Sequence, residues 1–189
     1  MTPEVPKARA AWIAIGSSLG DRRATLQSAL AAMQHRWPGL TSLTCSRVYR
    51  TRPVGVASHA FFNAVVHLEF GTLLHATEVL EGLLAIERAH GRTRTVRWED
   101  RTLDLDLLLL EEEGGRAITL RSEALTLPHP RLAERDFVLR PWVDLAPHLR
   151  LPDGRALTEL LAALAPEQRT ILGEVPVNPD VRKPLSNGA

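Results

Sequence analysis

"FFNAVVHLEF", residues 61–70, alternates between two rows of side chains as a β-strand does. One row is wholly apolar and contains Phe62, Ala64, Val66, Leu68 and Phe70. The other row mixes apolar and polar side chains, namely Phe61, Asn63, Val65, His67 and Glu69. The pattern predicts a strand with one face in a hydrophobic core and an opposite face that is free to carry a polar site.

The segments on either side of this strand predict its neighbours. In chain order they are a strand at 11–20, a helix with Asp21 as N-cap, a strand at 41–51, the strand at 61–70, a helix at 72–90 opening at Thr72, and a strand at 103–110. The order β-α-β-β-α-β predicts a ferredoxin-like α+β fold, with the helices on one face of an antiparallel sheet.

The C-terminal third is less regular. It contains a loop rich in Pro, His and Arg at 126–135, the short segment "FVLRPWVDL" and a helix near 156–165. The final stretch ends "VPVNPDVRKPLSNGA", whose composition is typical of weak order. We expect one domain over residues 1–169 and a weakly ordered tail over residues 170–189.

Composition narrows the classes of function. The chain has 189 residues, 44% hydrophobic and 24% charged, with a net charge of +1. No overall field therefore calls for nucleic acid or an anionic membrane, and no apolar run approaches the roughly 18 residues of a spanning helix. The start has no apolar leader and Cys45 is the only cysteine. We expect a cytoplasmic monomer that acts on small molecules, without nucleic acid or membrane partners.

Two aspartates interrupt the apolar strand "LDLDLLLL" at 103–110. Asp104 and Asp106 share a face and lie about 7 Å apart, since residues two apart on a strand have that spacing. Such a pair suits two Mg²⁺ ions about 3.5–4 Å apart, as used in phosphoryl-type displacements. The alternative is that each aspartate pairs with a neighbouring arginine in a structural ion network.

The segment before this strand is rich in arginine. It holds Arg88, Arg92, Arg94, Arg97 and Arg101 together with Glu87, Glu99 and Asp100. No lysine lies between residues 8 and 182, so a P-loop lysine is excluded. Guanidinium groups beside paired carboxylates favour a Mg²⁺–polyphosphate ligand held by arginine forks, although a solvated charged loop is the alternative for any single arginine.

Three further residue types fit such a ligand. Trp98 either stacks on a flat heterocycle or seals a core edge. Asn63 both donates and accepts hydrogen bonds, which recognition of a heterocycle edge requires. His129 lies between two prolines in a stiff loop with Arg131 and Arg135 close in sequence, a setting that suits phosphate contact.

Taken together, these segments resemble a known family. "AIGSSLGD", "YRTRPVG", "FFNAV", "GRTRTVRW", "RTLDLDLLL" and "LPHPRLAERDFVL" occur in the order and spacing of 6-hydroxymethyl-7,8-dihydropterin pyrophosphokinase. The resemblance covers about residues 11–165. It implies a ferredoxin-like fold and transfer of the β,γ-diphosphate of ATP to the pterin hydroxymethyl group, with release of AMP, in folate biosynthesis.

The resemblance also implies a role for each matching residue. Asp104 and Asp106 would bind two Mg²⁺ ions, and Arg92, Arg94 and Asp106 would be catalytic. The implied ATP contacts are Glu87, Arg92, Arg94, Arg97, Arg101, His129 and Arg135. The implied pterin contacts are Thr51, Val54, Gly55, Phe61, Asn63, Trp98 and Phe137. The proton acceptor stays open between Asp106 and an oxygen on the metal.

The chain departs from the family pattern in three places. Ser18 replaces a usual asparagine in a turn that we interpret as structural. Arg52 replaces a frequent proline beside the pterin loop, and Glu99-Asp100 replaces the usual Gly/Ala-Pro before Arg101. These acidic residues leave a silent pterin- or nucleotide-binding paralogue as an alternative. An RNA-binding domain is a further one, although the exposed sheet positions carry Asn, Asp and His rather than the aromatics that RNA requires.

Overall fold

A computed structural model describes residues 6–53, 57–91 and 100–176 of the chain. The described strands are β1 (Lys7–Ser17), β2 (Leu40–Cys45), β3 (Val48–Thr51), β4 (Phe61–His75), β5 (Asp104–Glu111), β6 (Leu120–Arg121), β7 (Thr126–Leu127) and β8 (Ile171–Val175). The described helices are α1 (Arg22–Arg36), α2 (Ala76–Ala89), α3 (Asp136–Leu145) and α4 (Leu157–Ala163).

The main sheet is antiparallel at every described pairing and has the strand order β5-β1-β4-β3-β8. Strand β2 pairs with β4 as well, further along the same edge as β3. The predicted strand at 41–51 is thus two strands, because the pairing with β4 is interrupted at Ser46, whose hydroxyl accepts a hydrogen bond from Val65 N (2.9 Å). The α+β ferredoxin-like architecture is confirmed.

Both faces of the sheet are covered. The apolar row of β4 packs with Leu30 of α1 and Leu83 of α2, as predicted from its alternation. Val65, from the opposite row, packs with Trp142 of α3 and Leu157 of α4. The expectation of helices on one face therefore holds for the β-α-β-β-α-β core, while the C-terminal helices cover the second face.

Strand β5 departs from the predicted alternation at one point. Leu103, Leu105 and Leu107 join the α1/α2 core, but Leu109 joins the α3/α4 core and Leu110 returns to the first. The cause is a β-bulge, since the pairing with β1 shifts register between Trp12 and Ile13. Asp104 and Asp106 lie before the bulge and keep their common face.

Two predicted boundaries are wrong. Helix α2 begins at Ala76 rather than Thr72, because β4 continues to His75 and pairs there with Lys7 of β1. The tail does not begin at residue 170, because Ile171–Val175 form β8 and pair with β3. Residues 177–189 lie outside the described part of the chain.

The entry into β8 is held by a buried carboxylate. Asp136, 4% exposed, accepts hydrogen bonds from Thr170 N, Thr170 Oγ1 and Ile171 N, at 2.5, 2.5 and 2.9 Å. No alternation in the sequence marks this contact, since the two partners are 34 positions apart. None of the helices in the described part of the chain has the length and apolarity that crossing a membrane requires.

Substitution Asp136→Ala should lower the free energy of unfolding by about 3 kcal/mol, because it leaves buried N–H and O–H donors without their charged acceptor. Asp136→Asn keeps one acceptor oxygen and should cost less. Urea unfolding of both variants measures this difference. As a control, Asp153→Ala alters an exposed turn aspartate that bonds Arg155, and its effect should be well below that of Asp136→Ala. Equal losses for the two alanine variants would contradict the prediction.

Candidate active site

A cavity of about 410 Å³ opens on the α3 side of the sheet. The lining residues that the sequence predicted as site residues are Thr51, Phe61, Asn63, Arg101, Asp104, Asp106, His129, Arg135 and Phe137. They come from β3, β4, the segment before β5, β5 itself, the 128–135 loop and the start of α3. The fold therefore brings the predicted phosphate and pterin contacts into one concave site, the usual setting for a small-molecule ligand.

One wall of the cavity carries the two aspartates of β5. Asp104 and Asp106 pair across the sheet with Gly16 and Ala14 of β1, and both side chains are partly exposed. Arg101 Nη1 lies 2.6 Å from Asp104 Oδ1, and Arg135 Nη1 lies 3.2 Å from Asp106 Oδ2. The arginine network considered from the sequence is thus present in the protein without ligands. It does not exclude a metal, because a guanidinium that pairs with a carboxylate is equally suited to pair with a phosphate.

The donor set of this wall fits Mg²⁺ only in company with a ligand. Among the described residues no cluster of three or more His, Cys, Asp or Glu side chains is placed to hold a metal ion. Mg²⁺ prefers octahedral oxygen coordination, retains waters and commonly binds through one or two carboxylates plus substrate phosphates. Asp104 and Asp106 provide that number of carboxylates. The wall is consistent with a metal–polyphosphate complex rather than with a site made by the protein alone.

His129 is fixed beside the carboxylates by the backbone on both sides. Its N–H donates to Leu108 O of β5 (2.8 Å), and its Nδ1 accepts from Arg131 N (3.1 Å). This bond places the proton of a neutral ring on Nε2. Burial lowers the pKa of His129; the Asp106 carboxylate opposes this, and the Arg135 guanidinium adds to it. The ring is therefore a neutral hydrogen-bond donor at neutral pH.

The opposite wall has a polar edge between aromatic rings. Asn63, 7% exposed, donates from Nδ2 to Thr51 Oγ1 (2.9 Å). Phe61 precedes it on β4, and Phe137 lines the cavity from α3 with its ring 5.6 Å from the Arg135 guanidinium carbon. A buried amide held by a hydroxyl, with aromatic rings nearby, suits a flat heterocycle that both donates and accepts hydrogen bonds.

Gly16 joins the two walls and was not identified from the sequence. It pairs with Asn63 on β4 and with Asp104 on β5. A Cβ atom at this position would lie 2.8 Å from Asn63 Oδ1, so any side chain would displace the amide. A glycine within a strand often marks such a close approach. That signal was present at the end of the first predicted strand.

Two of the departures from the family pattern have structural partners. Ser18, in the turn after β1, holds the backbone of Arg101: Arg101 N donates to Ser18 Oγ (2.8 Å), and Ser18 N donates to Arg101 O (2.9 Å). Arg52 lines the cavity, and its backbone N–H, which a proline lacks, donates to Thr170 O (2.9 Å). The turn at Ser18 is thus structural, as predicted, and it also positions a site residue.

Glu87 does not line the cavity. Its side chain belongs to α2 on the other face of the sheet, is 1% exposed, and accepts a hydrogen bond from Leu105 N of β5 (2.7 Å). The structure gives it the role of fastening α2 to the strand that carries the aspartates, which corrects the assignment of a nucleotide contact. The other predicted site residues, Val54, Gly55, Arg92, Arg94, Arg97 and Trp98, lie outside the described residues.

Paired carboxylates and arginines that face a buried amide and aromatic rings are typical of enzymes that transfer a phosphate group of a nucleotide to a heterocyclic acceptor. The family model described as 7,8-dihydro-6-hydroxymethylpterin-pyrophosphokinase (HPPK) matches residues 12–147. The chain therefore belongs to the HPPK family, and it is an ATP-dependent pyrophosphokinase.

Relatives at high identity carry the corresponding name. A 2-amino-4-hydroxy-6-hydroxymethyldihydropteridine pyrophosphokinase of Pseudomonas aeruginosa is 44% identical over 153 residues, which are 80% of this chain and 90% of the relative. One from Bacillus subtilis is 42% identical over 136 residues, 71% of this chain and 77% of the relative.

Solved structures support the fold. The HPPK-DHPS of Plasmodium falciparum, crystallised with SDX-DHP, superposes with a TM-score of 0.58 at 13% sequence identity and covers 85% of this chain. This chain spans 45% of the length of that protein. At so low an identity the likeness concerns the architecture alone.

The lowered pKa of His129 predicts a dependence of stability on pH. The unfolded chain takes up a proton at about pH 6.5, above the pKa of the folded site, so this ring contributes stability at higher pH that is lost as the pH falls through that range. His129→Gln should make the loss of thermal stability between about pH 7.5 and pH 5 shallower in protein free of metal and nucleotide. The check is a series of melting temperatures, with His35→Gln on the exposed part of α1 as control. A slope identical to that of the unsubstituted protein would contradict the prediction.

Proposed function

We propose that this cavity transfers the β,γ-diphosphate of ATP to the hydroxymethyl group of 6-hydroxymethyl-7,8-dihydropterin and releases AMP, a step of folate biosynthesis. The proposal rests on one observation: two walls of different chemistry face each other across a single cavity. One wall has the charges that a polyphosphate requires, and the other has the amide and rings that a pterin requires. Family membership supports the same reaction.

The phosphate chain of ATP lies along the wall of Asp104 and Asp106 in this proposal. These two carboxylates would hold Mg²⁺, two ions in our proposal, which supply Lewis acidity and offset negative charge on the phosphate oxygens. Arg101 and Arg135, now paired with the aspartates, turn to the phosphate oxygens when the ligand binds. His129 donates a hydrogen bond from Nε2 to a phosphate oxygen in this proposal. Arg92, Arg94 and Arg97 are further proposed contacts to ATP, which the family pattern implies.

The pterin occupies the other wall. Asn63 Nδ2 donates to Thr51 Oγ1, so Asn63 Oδ1 is the amide atom that accepts a hydrogen bond from a ring N–H in this proposal. Phe61 and Phe137 pack against the faces of the ring, with Trp98, Val54 and Gly55 proposed as further contacts. The fixed amide of Asn63 therefore sets the orientation of the pterin ring, and the aromatic side chains provide apolar contact with its faces.

The chemistry is an in-line displacement at the β-phosphorus. The hydroxymethyl oxygen forms a bond to that phosphorus as the bond to the α-phosphate oxygen breaks, and AMP leaves with that oxygen. The hydroxyl proton leaves the nucleophile, and Asp106, one of the two carboxylates on the phosphate wall, is its proposed acceptor. Such transfers depend mainly on positioning and on electrostatic stabilisation, so a strong base is not required.

The charge added by Asp100 does not argue for a silent paralogue. Its carboxylate is engaged by Ser58 and His59 and is not among the residues that line the cavity. We further propose that the enzyme is a cytoplasmic monomer, in keeping with a reaction that consumes ATP and joins two small molecules. Size-exclusion chromatography with light scattering tests the monomeric state.

Asp106→Ala should reduce AMP formation from Mg-ATP and the pterin alcohol by at least about 100-fold, because it removes a carboxylate from the phosphate wall. Chromatographic quantification of AMP measures this. Asp153→Ala, which does not touch the cavity, serves as the control and should retain full activity. An Asp106→Ala protein with unchanged AMP formation and unchanged circular dichroism would contradict the assigned role.

Asn63→Ala should lower kcat/KM for the pterin by about 100-fold, since a buried site that is built to hydrogen-bond its substrate loses specificity steeply without that group. The KM for ATP should change little, because the phosphate wall is intact. Steady-state kinetics with each substrate varied in turn separates the two effects. Thr51→Ser keeps the hydroxyl that holds the amide and is the matched control. Equal losses toward both substrates would argue against an amide dedicated to the pterin.

A further inference from the structure

The Asp100 carboxylate is hydrogen-bonded to two consecutive residues of the segment before β4, Ser58 and His59. Its Oδ2 accepts from Ser58 N (3.2 Å) and Ser58 Oγ (2.7 Å), and its Oδ1 accepts from His59 N (3.2 Å). The Nδ1 atom of His59 lies 2.7 Å from Oδ2, which places a proton on that nitrogen. The Asp100 side chain is only 16% exposed. One carboxylate therefore uses both of its oxygens to order a short stretch of backbone that is more than 40 positions away.

The residue that follows Asp100 belongs to the phosphate wall. Arg101 is bound by Ser18 through its backbone, and its guanidinium pairs with Asp104. Leu19 N also donates to Arg101 O (3.2 Å). The position of Arg101 therefore has supports of its own, and Asp100 is an additional connection from this anchored point to the segment before β4.

The segment that Asp100 binds, residues 58 and 59, leads directly into the pterin wall. After Ser58 and His59 the chain passes Ala60, whose carbonyl accepts from Arg22 Nη1 (2.7 Å), and then reaches Phe61 at the cavity. Asn63 follows two positions later, with the same side-chain direction as Phe61. Fixing the backbone at residues 58 and 59 thus limits how Phe61 enters the cavity.

We propose that Asp100 is a positioning residue for the pterin wall: it fixes Ser58 and His59, and through them Phe61, relative to the Arg101–Asp104 pair. The inference rests on the proposed reaction and deepens it, since it assigns control of the distance between the two substrates to a residue that touches neither. Positioning of this kind matters because small displacements from a near-attack arrangement reduce rates steeply.

The ionisation of the Asp100 carboxylate is consistent with this role. Burial raises the pKa of Asp100, but hydrogen bonds from His59 and Ser58 outweigh it and hold the pKa well below its usual range. The carboxylate is therefore ionised at neutral pH, and its bonds are charge-assisted, which makes them stronger than bonds between neutral groups. Asparagine at this position retains one acceptor oxygen, but its amide nitrogen cannot accept the hydrogen bond that the Ser58 backbone N–H now donates to Oδ2.

The test compares KM for the pterin, KM for ATP and kcat in Asp100→Ala and Asp100→Asn. Asp100→Ala should raise the KM for the pterin about tenfold, the loss of roughly one charge-assisted hydrogen bond, with Asp100→Asn intermediate. The KM for ATP should change less than about twofold, because Ser18 holds Arg101 independently. Asp153→Ala is the matched control and should change neither constant.

A second variant shows that the effect passes through the segment. Ser58→Ala should raise the pterin KM in the same direction, and the double variant Ser58→Ala/Asp100→Ala should be no worse than Asp100→Ala alone. If Asp100→Ala does not fold, Asp100→Asn and Ser58→Ala carry the comparison. An unchanged pterin KM, equal changes in both KM values, or full additivity would overturn the proposal. An unsubstituted protein that releases no AMP would instead refute the reaction itself, so the two failures are distinguishable.

Discussion

The close approach of β1 to β4 at Gly16 is the constraint on which the site depends. This residue pairs with Asn63 on one side and with Asp104 on the other. The two walls of the cavity are therefore both positioned by the backbone of one residue. The absence of a side chain lets the Asn63 amide lie against the strand, where a Cβ would come within 2.8 Å of its oxygen. Since strand pairing is rigid, the separation between the backbone positions of Asn63 and Asp104 is set by the sheet.

Charge compensation is the second organising feature. Two carboxylates on one face would repel each other in an apolar strand, and Arg101 and Arg135 offset that repulsion in the protein without ligands. The same guanidinium groups are well suited to phosphate oxygens. The site is therefore neutralised before the reaction and presents both signs of charge to a metal–polyphosphate ligand. Burial of Glu87 behind β5 adds rigidity to the strand from the opposite face.

Much of the fold followed from local patterns. The alternation at 61–70 predicted the core row of β4, and Asp21 caps α1 through a bond from Ala24 N, as predicted. Errors arose where a tertiary contact overrides a local signal. Thr72 resembles a helix start, but pairing with β1 extends β4 past it. Residues 171–175 are predicted as tail because they precede the Pro-rich end of the chain, and Asp136 together with β3 brings them into the sheet.

The sequence by itself determined the chemistry of this protein: which residue types are present, that Asp104 and Asp106 share a face, and that their neighbours resemble those of a pterin pyrophosphokinase. Local periodicity and spacing carry that information because a strand directs alternate side chains to one side. Only the tertiary structure decided which of these residues meet. It placed Asn63 opposite Asp104 across Gly16, moved Glu87 to the reverse face, and bound Asp100 to Ser58 and His59. Contacts between residues far apart in the chain depend on register and packing, which no local pattern encodes.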